Sequence, residues 1–162
     1  SCSQHPVASV TRLTDNRATM AGWRRNWFSS RLSRLAGRPP SWLLLVLAVQ
    51  QIAIGEAFVL AERLGLPAQS LFDVITGATG NCWAVHTNCP VPGPVPTSPA
   101  NNDFTPGFAT ALMNKDLGLA MAAVASTGAQ APLGTHAADI YRQFNEDHAD
   151  KDFSAVIEML RG

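Results

Sequence analysis

A long apolar segment that ends at a strong helix stop constrains the fold of this chain most. Apolar side chains occur on every side of a helix drawn through residues 43–64, and a helix that is apolar all round lies inside a protein. Arg63 suits the last helical turn, Gly65 suits the left-handed position just beyond it, and Pro67 prevents continuation. The segment therefore predicts one long, central, buried helix.

The most apolar part of this segment is short. Residues 42–49 are strongly apolar, but Gln50, Gln51 and Glu56 follow them. A membrane-spanning helix needs about 20 predominantly apolar residues. We therefore predict no membrane-spanning segment and no membrane partner.

The rest of the chain predicts further helices and no strand. These helices are expected at residues 68–75, 82–85, 107–126 and 132–147, with a last short one capped by Asp150 or Asp152. Residues 86–106 contain six prolines and predict a long loop, and such loops inside a compact domain are more often functional than idle. No Gly-rich turn follows a strand, so no nucleotide-binding βαβ unit is expected. The fold class is all-α.

The charges divide the chain into two parts. Residues 1–41 contain seven arginines and a single acid, Asp15, whereas residues 42–162 contain five basic and eleven acidic residues. Such a break in composition indicates a boundary. Three interpretations of the first part stay open: a transit segment, a basic arm that contacts nucleic acid, and an unpatterned, disordered appendage. Because the arginines follow no period that would make a defined footprint, we predict no nucleic-acid partner.

The cysteines favour neither a disulfide framework nor a metal site. Cys82, His86 and Cys89 lie close in sequence, but they lack the paired Cys-x2-Cys spacing and a fourth ligand. Three cysteines in a chain of this length indicate a reducing compartment. We therefore predict no metal, and a location in the cytoplasm, or in the mitochondrion if the source is a eukaryote.

The predicted helix at residues 107–126 carries an unusual pair of charges. Apolar residues occupy two of its faces, so we expect burial on most sides. Phe108 and Lys115 share one of these faces, with Asp116 at its edge. Because an unpaired buried charge is costly, three interpretations are open: pairing with other charges, extension of the lysine to water, or a site that a ligand fills.

Seven short pieces of sequence occur together in a recognisable order. They are Glu56-Ala57, Arg63-Leu-Gly-Leu66, Gly80-Asn-Cys-Trp83, Pro90-Val-Pro-Gly93, Pro99-Ala-Asn-Asn102, the run from Phe108 to Ala120 with its Lys-Asp pair, and Asp152-Phe-Ser154. In this order and spacing the chain resembles the C-terminal helical domain of the 3-hydroxyisobutyrate dehydrogenases, in the β-hydroxyacid dehydrogenase family.

The resemblance implies a fold, a reaction and a set of site residues. Residues 42–162 would form a helical NAD-binding and dimerisation domain of the 6-phosphogluconate dehydrogenase-like type, with a long central helix and a Pro-rich loop. Such a domain works beside a Rossmann domain, forms a homo-oligomer, and serves the oxidation of 3-hydroxyisobutyrate to methylmalonate semialdehyde in valine catabolism. The resemblance places Lys115 against NAD, and it places Phe108 and Asp116 against the small hydroxyacid substrate.

The resemblance fails upstream of about residue 45. The family's catalytic lysine falls on Pro40 and its substrate-placing asparagine on Leu44, and a proline side chain can neither donate nor accept a proton. We therefore predict no catalytic residue, no N-terminal Rossmann domain and no activity of this chain alone. Residues 1–41 are then best explained by an out-of-frame or mispredicted start, with a genuine transit peptide as the rival. The alternative function is a non-catalytic helical module that associates with itself.

Overall fold

The chain is represented by a computed structural model that describes residues 41–162. Within this part there are two 3-10 turns, Pro99–Asn101 and Phe153–Ala155. The six α-helices are α1 Ser41–Arg63, α2 Ala68–Thr76, α3 Trp83–His86, α4 Thr110–Thr127, α5 Pro132–His148 and α6 Val156–Arg161. No strand occurs among residues 41–162, which confirms the all-α prediction for them. The interpretations of residues 1–40, including the assignment of Pro40, lie outside the described residues.

Helix α1 is the central element of the domain. The other five helices, α2 to α6, all pack against it. Its inner side contributes Leu44, Ala48 and Phe58 to the core, while Val46 and Leu60 stay exposed. The predicted central position is therefore confirmed, but burial is not complete, because neighbouring helices do not cover every side.

Helix α1 is longer and more apolar than the sequence analysis expected. Trp42–Arg63 contains an 18-residue stretch with a mean hydropathy of 2.1 and is long and apolar enough to cross a membrane. The prediction that the apolar segment is too short to cross a membrane was wrong, because the apolar character continues beyond Gln50 and Gln51. The buried core helix of a folded domain can be equally long and apolar. Gln51 is buried and its side-chain nitrogen donates to the Asn88 carbonyl at 3.2 Å, which is the contact of a core helix.

The end of α1 follows from local chemistry, as the sequence predicts. Gly65 has a φ of 75°, a left-handed conformation that favours glycine. The Gly65 N–H donates to the Glu62 carbonyl at 3.1 Å, and the Leu66 N–H donates to the Ala61 carbonyl at 2.9 Å. These two bonds form a Schellman motif and satisfy carbonyls that the helix itself cannot.

Helices α4 and α5 pack against each other and against α1. Helix α5 approaches α1 closely at Gly134, where a Cβ atom would lie 2.6 Å from Leu45 Cδ1. Met113 and Leu117 of α4 and Tyr141 of α5 fill the space between the helices and are fully buried. The core therefore lies between α1 and the α4–α5 pair.

The proline-containing segment between α3 and α4 folds back onto this core. Val91 and Val95 are buried, and the Ser98 hydroxyl donates to the Cys89 carbonyl at 2.5 Å. The Asn101 side chain accepts from the Gly93 N–H at 2.9 Å and donates to the Val95 carbonyl at 2.8 Å. Side-chain bonds of this kind hold a segment whose prolines cannot donate backbone hydrogen bonds.

Candidate functional site on helix α4

Lys115 and Asp116 lie in the first half of α4, and Phe108 lies two residues before it. The Lys115 side chain is exposed, whereas Asp116 and Phe108 are half-buried. The ion pairs found within residues 41–162 are Arg142–Asp139, Lys151–Glu158 and Arg161–Glu62. Within the described residues, Lys115 and Asp116 therefore have no charged partner.

Helix α4 is buried on one face, so the prediction of burial on most sides is wrong. Met113 and Leu117 are fully buried against α1 and α5, whereas Leu112 is 48% exposed and Leu119 is 44% exposed. Lys115 stands between these two leucines on the open face. The face that carries it is apolar in sequence but is not covered by the described residues.

The start of α4 also differs from the sequence prediction. The helix begins at Thr110 rather than at residue 107. The N–H groups of Gly107 and Phe108 donate to Asp152 Oδ2 at 3.0 Å each, and Ala109 forms an isolated antiparallel bridge with Asp152. A distant part of the chain therefore holds Gly107 and Phe108 in a bend and Ala109 in an extended conformation, and these residues do not form a further helical turn.

The second oxygen of Asp152 is also fully used. Oδ1 accepts from the Asn88 side-chain amide at 3.1 Å, from the Ser154 N–H at 3.0 Å and from the Ser154 hydroxyl at 2.6 Å. Asp152 is 1% exposed, and a buried carboxylate is tolerated only when donors surround it. The bond from the Ser154 N–H makes Asp152 the cap of the 3-10 turn. The predicted cap of the last helix therefore lies one element earlier, because α6 follows with Ala155 at its start and no side-chain cap.

Sequence reasoning missed the network that Asp152 organises. Asn88 joins Asp152 through its side chain and joins Gln51 of α1 through its backbone carbonyl. The available signal was the pair of glutamines inside an apolar helix, since a buried polar side chain needs a partner. The partner itself, Asn88, follows 37 residues later in the chain and has no local pattern that would reveal it.

A buried tyrosine of α5 stabilises the 3-10 turn that follows Asp152. The Tyr141 hydroxyl donates to the Phe153 carbonyl at 3.1 Å. Burial, and then the charge of Asp152, raise the pKa of Tyr141 well above its ordinary value. The Phe153 ring in turn meets the Phe108 ring edge to face, with centroids 5.8 Å apart and planes at 77°. Phe108 therefore packs against Phe153, and Tyr141 of α5 helps to hold Phe153 in position.

The cysteine and histidine residues near α3 have different surroundings. Cys89 is fully buried, and burial raises the pKa of its thiol. The His86 ring packs edge-on against Phe72 with centroids 6.1 Å apart. Residues 41–162 contain no group of three or more His, Cys, Asp or Glu side chains that suits a metal ion.

Comparison with known proteins places this domain. The family described as "NAD-binding of NADP-dependent 3-hydroxyisobutyrate dehydrogenase" matches residues 44–160. This range includes Phe108, Lys115, Asp116 and Asp152. The chain belongs to this family.

The individual relatives carry the same name. A probable 3-hydroxyisobutyrate dehydrogenase of Mycobacterium bovis is 86% identical over 117 residues, which is 72% of this chain and 40% of the relative. The mitochondrial 3-hydroxyisobutyrate dehydrogenase of Drosophila melanogaster is 39% identical over 118 residues, which is 36% of its length. The chain therefore spans less than half the length of these relatives.

A solved structure extends the similarity to the fold. The structure of Mycobacterium tuberculosis 3-hydroxyisobutyrate dehydrogenase with L-serine superposes with a TM-score of 0.74 at 82% identity. The similarity covers 75% of this chain and 42% of that one. The helical domain described above therefore has the fold of the matching part of that structure.

Proposed function

We propose that residues 42–162 are the helical NAD-binding and dimerisation domain of a dehydrogenase that oxidises 3-hydroxyisobutyrate to methylmalonate semialdehyde, in valine catabolism. The observation that carries the proposal is the open face of α4. It presents a lysine without a charged partner in the described residues, between Leu112 and Leu119, inside the region that matches the family. A cation flanked by apolar side chains suits a ligand with both anionic and apolar parts.

The residues on and beside this face suit NAD and a small hydroxyacid. Lys115 would contact the cofactor, because its extended ammonium group is a mobile donor for phosphate or carboxamide oxygens. When bound, NAD accepts a hydride from the carbon that carries the substrate hydroxyl. Phe108 would shield the hydrocarbon part of the hydroxyacid from water, and the Asp116 carboxylate would accept a hydrogen bond from its hydroxyl.

We also propose that these 162 residues do not complete the reaction by themselves. By the resemblance, Pro40 would stand where the family has its catalytic lysine, and Leu44, which is buried in the core, would stand where the family has an asparagine. Loss of a general acid or base alone removes about 10²–10⁴-fold in rate. The reaction further requires a Rossmann domain, and residues 41–162 contain no strand from which one could be built.

A direct assay tests this proposal of inactivity. The purified chain is mixed with NAD and 3-hydroxyisobutyrate, or L-serine as a second hydroxyacid, and NADH formation is followed by absorbance. We expect no turnover and no tight NAD binding by calorimetry. Robust NADH production would contradict the proposal that the chain is inactive by itself.

A chimaera tests the site residues. Residues 44–160 replace the matching segment of the M. tuberculosis enzyme, and the hybrid is expected to turn over 3-hydroxyisobutyrate. In that background Lys115→Ala should raise the KM for NAD by about tenfold or more, because it removes a charge-assisted contact. The control is Arg142→Ala, which removes an exposed cation from α5. Equal effects of the two substitutions would contradict the assignment of Lys115.

Phe108→Ala is tested in the same chimaera. Removing the ring should raise the KM for 3-hydroxyisobutyrate more than the KM for NAD, because the ring is proposed to face the substrate. The control is Leu133→Ala, since Leu133 is an exposed apolar residue of α5. A larger effect on NAD than on the hydroxyacid would contradict the assignment of Phe108.

Self-association is the second candidate function, and it is compatible with the first. Leu60 and Leu64 lie one turn apart near the end of α1, and both are more than half exposed. Exposed apolar surface of this kind favours association, so we propose that the chain forms a homo-oligomer. We propose the cytoplasm as its location, because Cys82 and Cys89 are free thiols.

A further inference from the structure

Asp152 is buried beside the segment that leads into α4, and nothing in the proposed chemistry uses its charge. We propose that Asp152 is a positioning residue for this site. Through Oδ2 it fixes the backbone of Gly107 and Phe108, and so it determines where the Phe108 side chain points and where α4 begins. The functional importance of this role depends on the proposed function, but the positioning itself does not.

The two oxygens of Asp152 have separate tasks. Oδ1 bonds to Asn88 and Ser154, and these contacts tie the loop after α3 to the 3-10 turn before α6. Oδ2 bonds only to the two N–H groups that precede α4, among the described residues. The use of a full carboxylate brings a second, fixed acceptor to the segment that carries Phe108.

The segment that Oδ2 fixes leads directly to the other residues of the site. The Phe153 N–H donates to the Phe108 carbonyl at 3.0 Å, and the Thr110 N–H donates to the Lys151 carbonyl at 2.8 Å. The first turn of α4 is thereby aligned with residues 151–153. Lys115 and Asp116 follow little more than one turn later, so their position depends on the same alignment.

Hydrogen exchange by NMR on the full chain tests this inference without any cofactor. In the wild type, the Gly107 and Phe108 amide protons should exchange as slowly as those inside α4. In Asp152→Ala both should exchange about 10- to 100-fold faster, because each loses a hydrogen bond to a charged group. The nuclear Overhauser contact between the Phe108 and Phe153 rings should weaken at the same time. Loop-like exchange of these two amides in the wild type would overturn the proposal, even if the alanine variant did not fold.

Two further variants separate positioning from general stabilisation. Ser154→Ala removes a donor to Oδ1, so it should lower the unfolding midpoint but leave exchange at Gly107 and Phe108 unchanged. In Asp152→Asn the remaining side-chain oxygen should turn to the N–H groups of Gly107 and Phe108. That side has two backbone donors, whereas the other side has one, the Ser154 N–H, beside the Asn88 amide and the Ser154 hydroxyl, which can both reverse. That variant should therefore retain slow exchange and the ring contact while losing stability.

The outcomes distinguish this inference from the proposed function. If Ser154→Ala and Asp152→Ala accelerate exchange equally at Gly107 and Phe108, Asp152 is only a structural residue and the inference is wrong. If Asp152→Ala alone frees these amides, the inference holds, whatever the chimaera shows about NAD. Failure of Lys115→Ala to change the KM for NAD would affect the proposed function and leave the positioning role intact.

Discussion

Tyr141 is the residue whose ionisation the fold opposes most clearly. It is fully buried, it donates to the Phe153 carbonyl, and it lies near the charge of Asp152. Each of these features favours the neutral phenol, because an ionised oxygen would lose its donor role and would sit in an apolar, negatively charged environment. Tyr141 is also the single tyrosine of the sequence, so its titration has a direct optical readout.

We expect the chain to lose stability in alkali through this residue. The pKa of Tyr141 is raised in the folded state, so the unfolded chain releases the proton first, and the free energy of unfolding falls as the pH rises above about 10. Below that pH the contribution is complete. Tyrosinate absorbance and unfolding, followed together, should rise in the same transition. Tyr141→Phe should remove this part of the pH slope and cost about 1 kcal/mol at neutral pH. Tyrosinate absorbance near pH 10 in a folded chain would contradict this prediction.

The residues proposed for the site show what side-chain chemistry alone predicts. The Lys-Asp pair attracts notice because charge inside an apolar helix is costly. Its explanation from the residues alone stays open among three interpretations, and the ligand roles of Lys115, Asp116 and Phe108 come from the resemblance. Asp152 is recognisable as a cap, but its bonds to Gly107 and Phe108 are not, because a cap pattern extends over three or four residues.

Two glycines in helices form a matched pair at the scale of elements. Gly134 of α5 faces Leu45, and an added Cβ would lie 2.6 Å from it, whereas Gly118 of α4 has nothing within 4 Å of such a Cβ. Both substitutions to alanine gain about 1 kcal/mol of helix propensity. Only Gly134→Ala also requires the Leu45 side chain or the helix that carries it to move, which costs about 1–3 kcal/mol.

We therefore expect opposite signs for the two substitutions. Gly118→Ala should stabilise the chain by about 0.5–1 kcal/mol, and Gly134→Ala should destabilise it by up to about 2 kcal/mol. Denaturant unfolding of both variants beside the wild type measures the difference. Stabilisation by Gly134→Ala would mean that Leu45 moves aside at little cost and that α5 does not need its glycine.

Helix ends were predictable where the determinants are local. Gly65 closes α1 and Gly128, with a φ of 69°, closes α4, and both follow from the preference of glycine for left-handed backbone. The start of α4 was not predictable in this way. The first residue of α4 depends on hydrogen bonds to residues 149–152, which lie in another part of the chain.

At the scale of the whole molecule, exposed leucines at the end of α1 predict self-association. Leu64→Glu should raise the dissociation constant of the oligomer by about tenfold or more, because it places a charge in an apolar contact. Sedimentation over a range of concentrations measures it. Leu133→Glu is the control, since Leu133 is 70% exposed but lies on α5. A strictly monomeric wild type would contradict the prediction.

The sequence by itself determined the helical class, the central role of α1, most helix positions and the family. These properties depend on periodicity, on caps and on short pieces of sequence, all of which act over a few residues. The tertiary structure decided which face of α4 is open and which carboxylate holds its first turn. The donors from Gly107 and Phe108 lie 45 and 44 residues from Asp152 along the chain. Contacts at that separation form only when the helices pack, because closing such a loop costs entropy that burial of the core must offset.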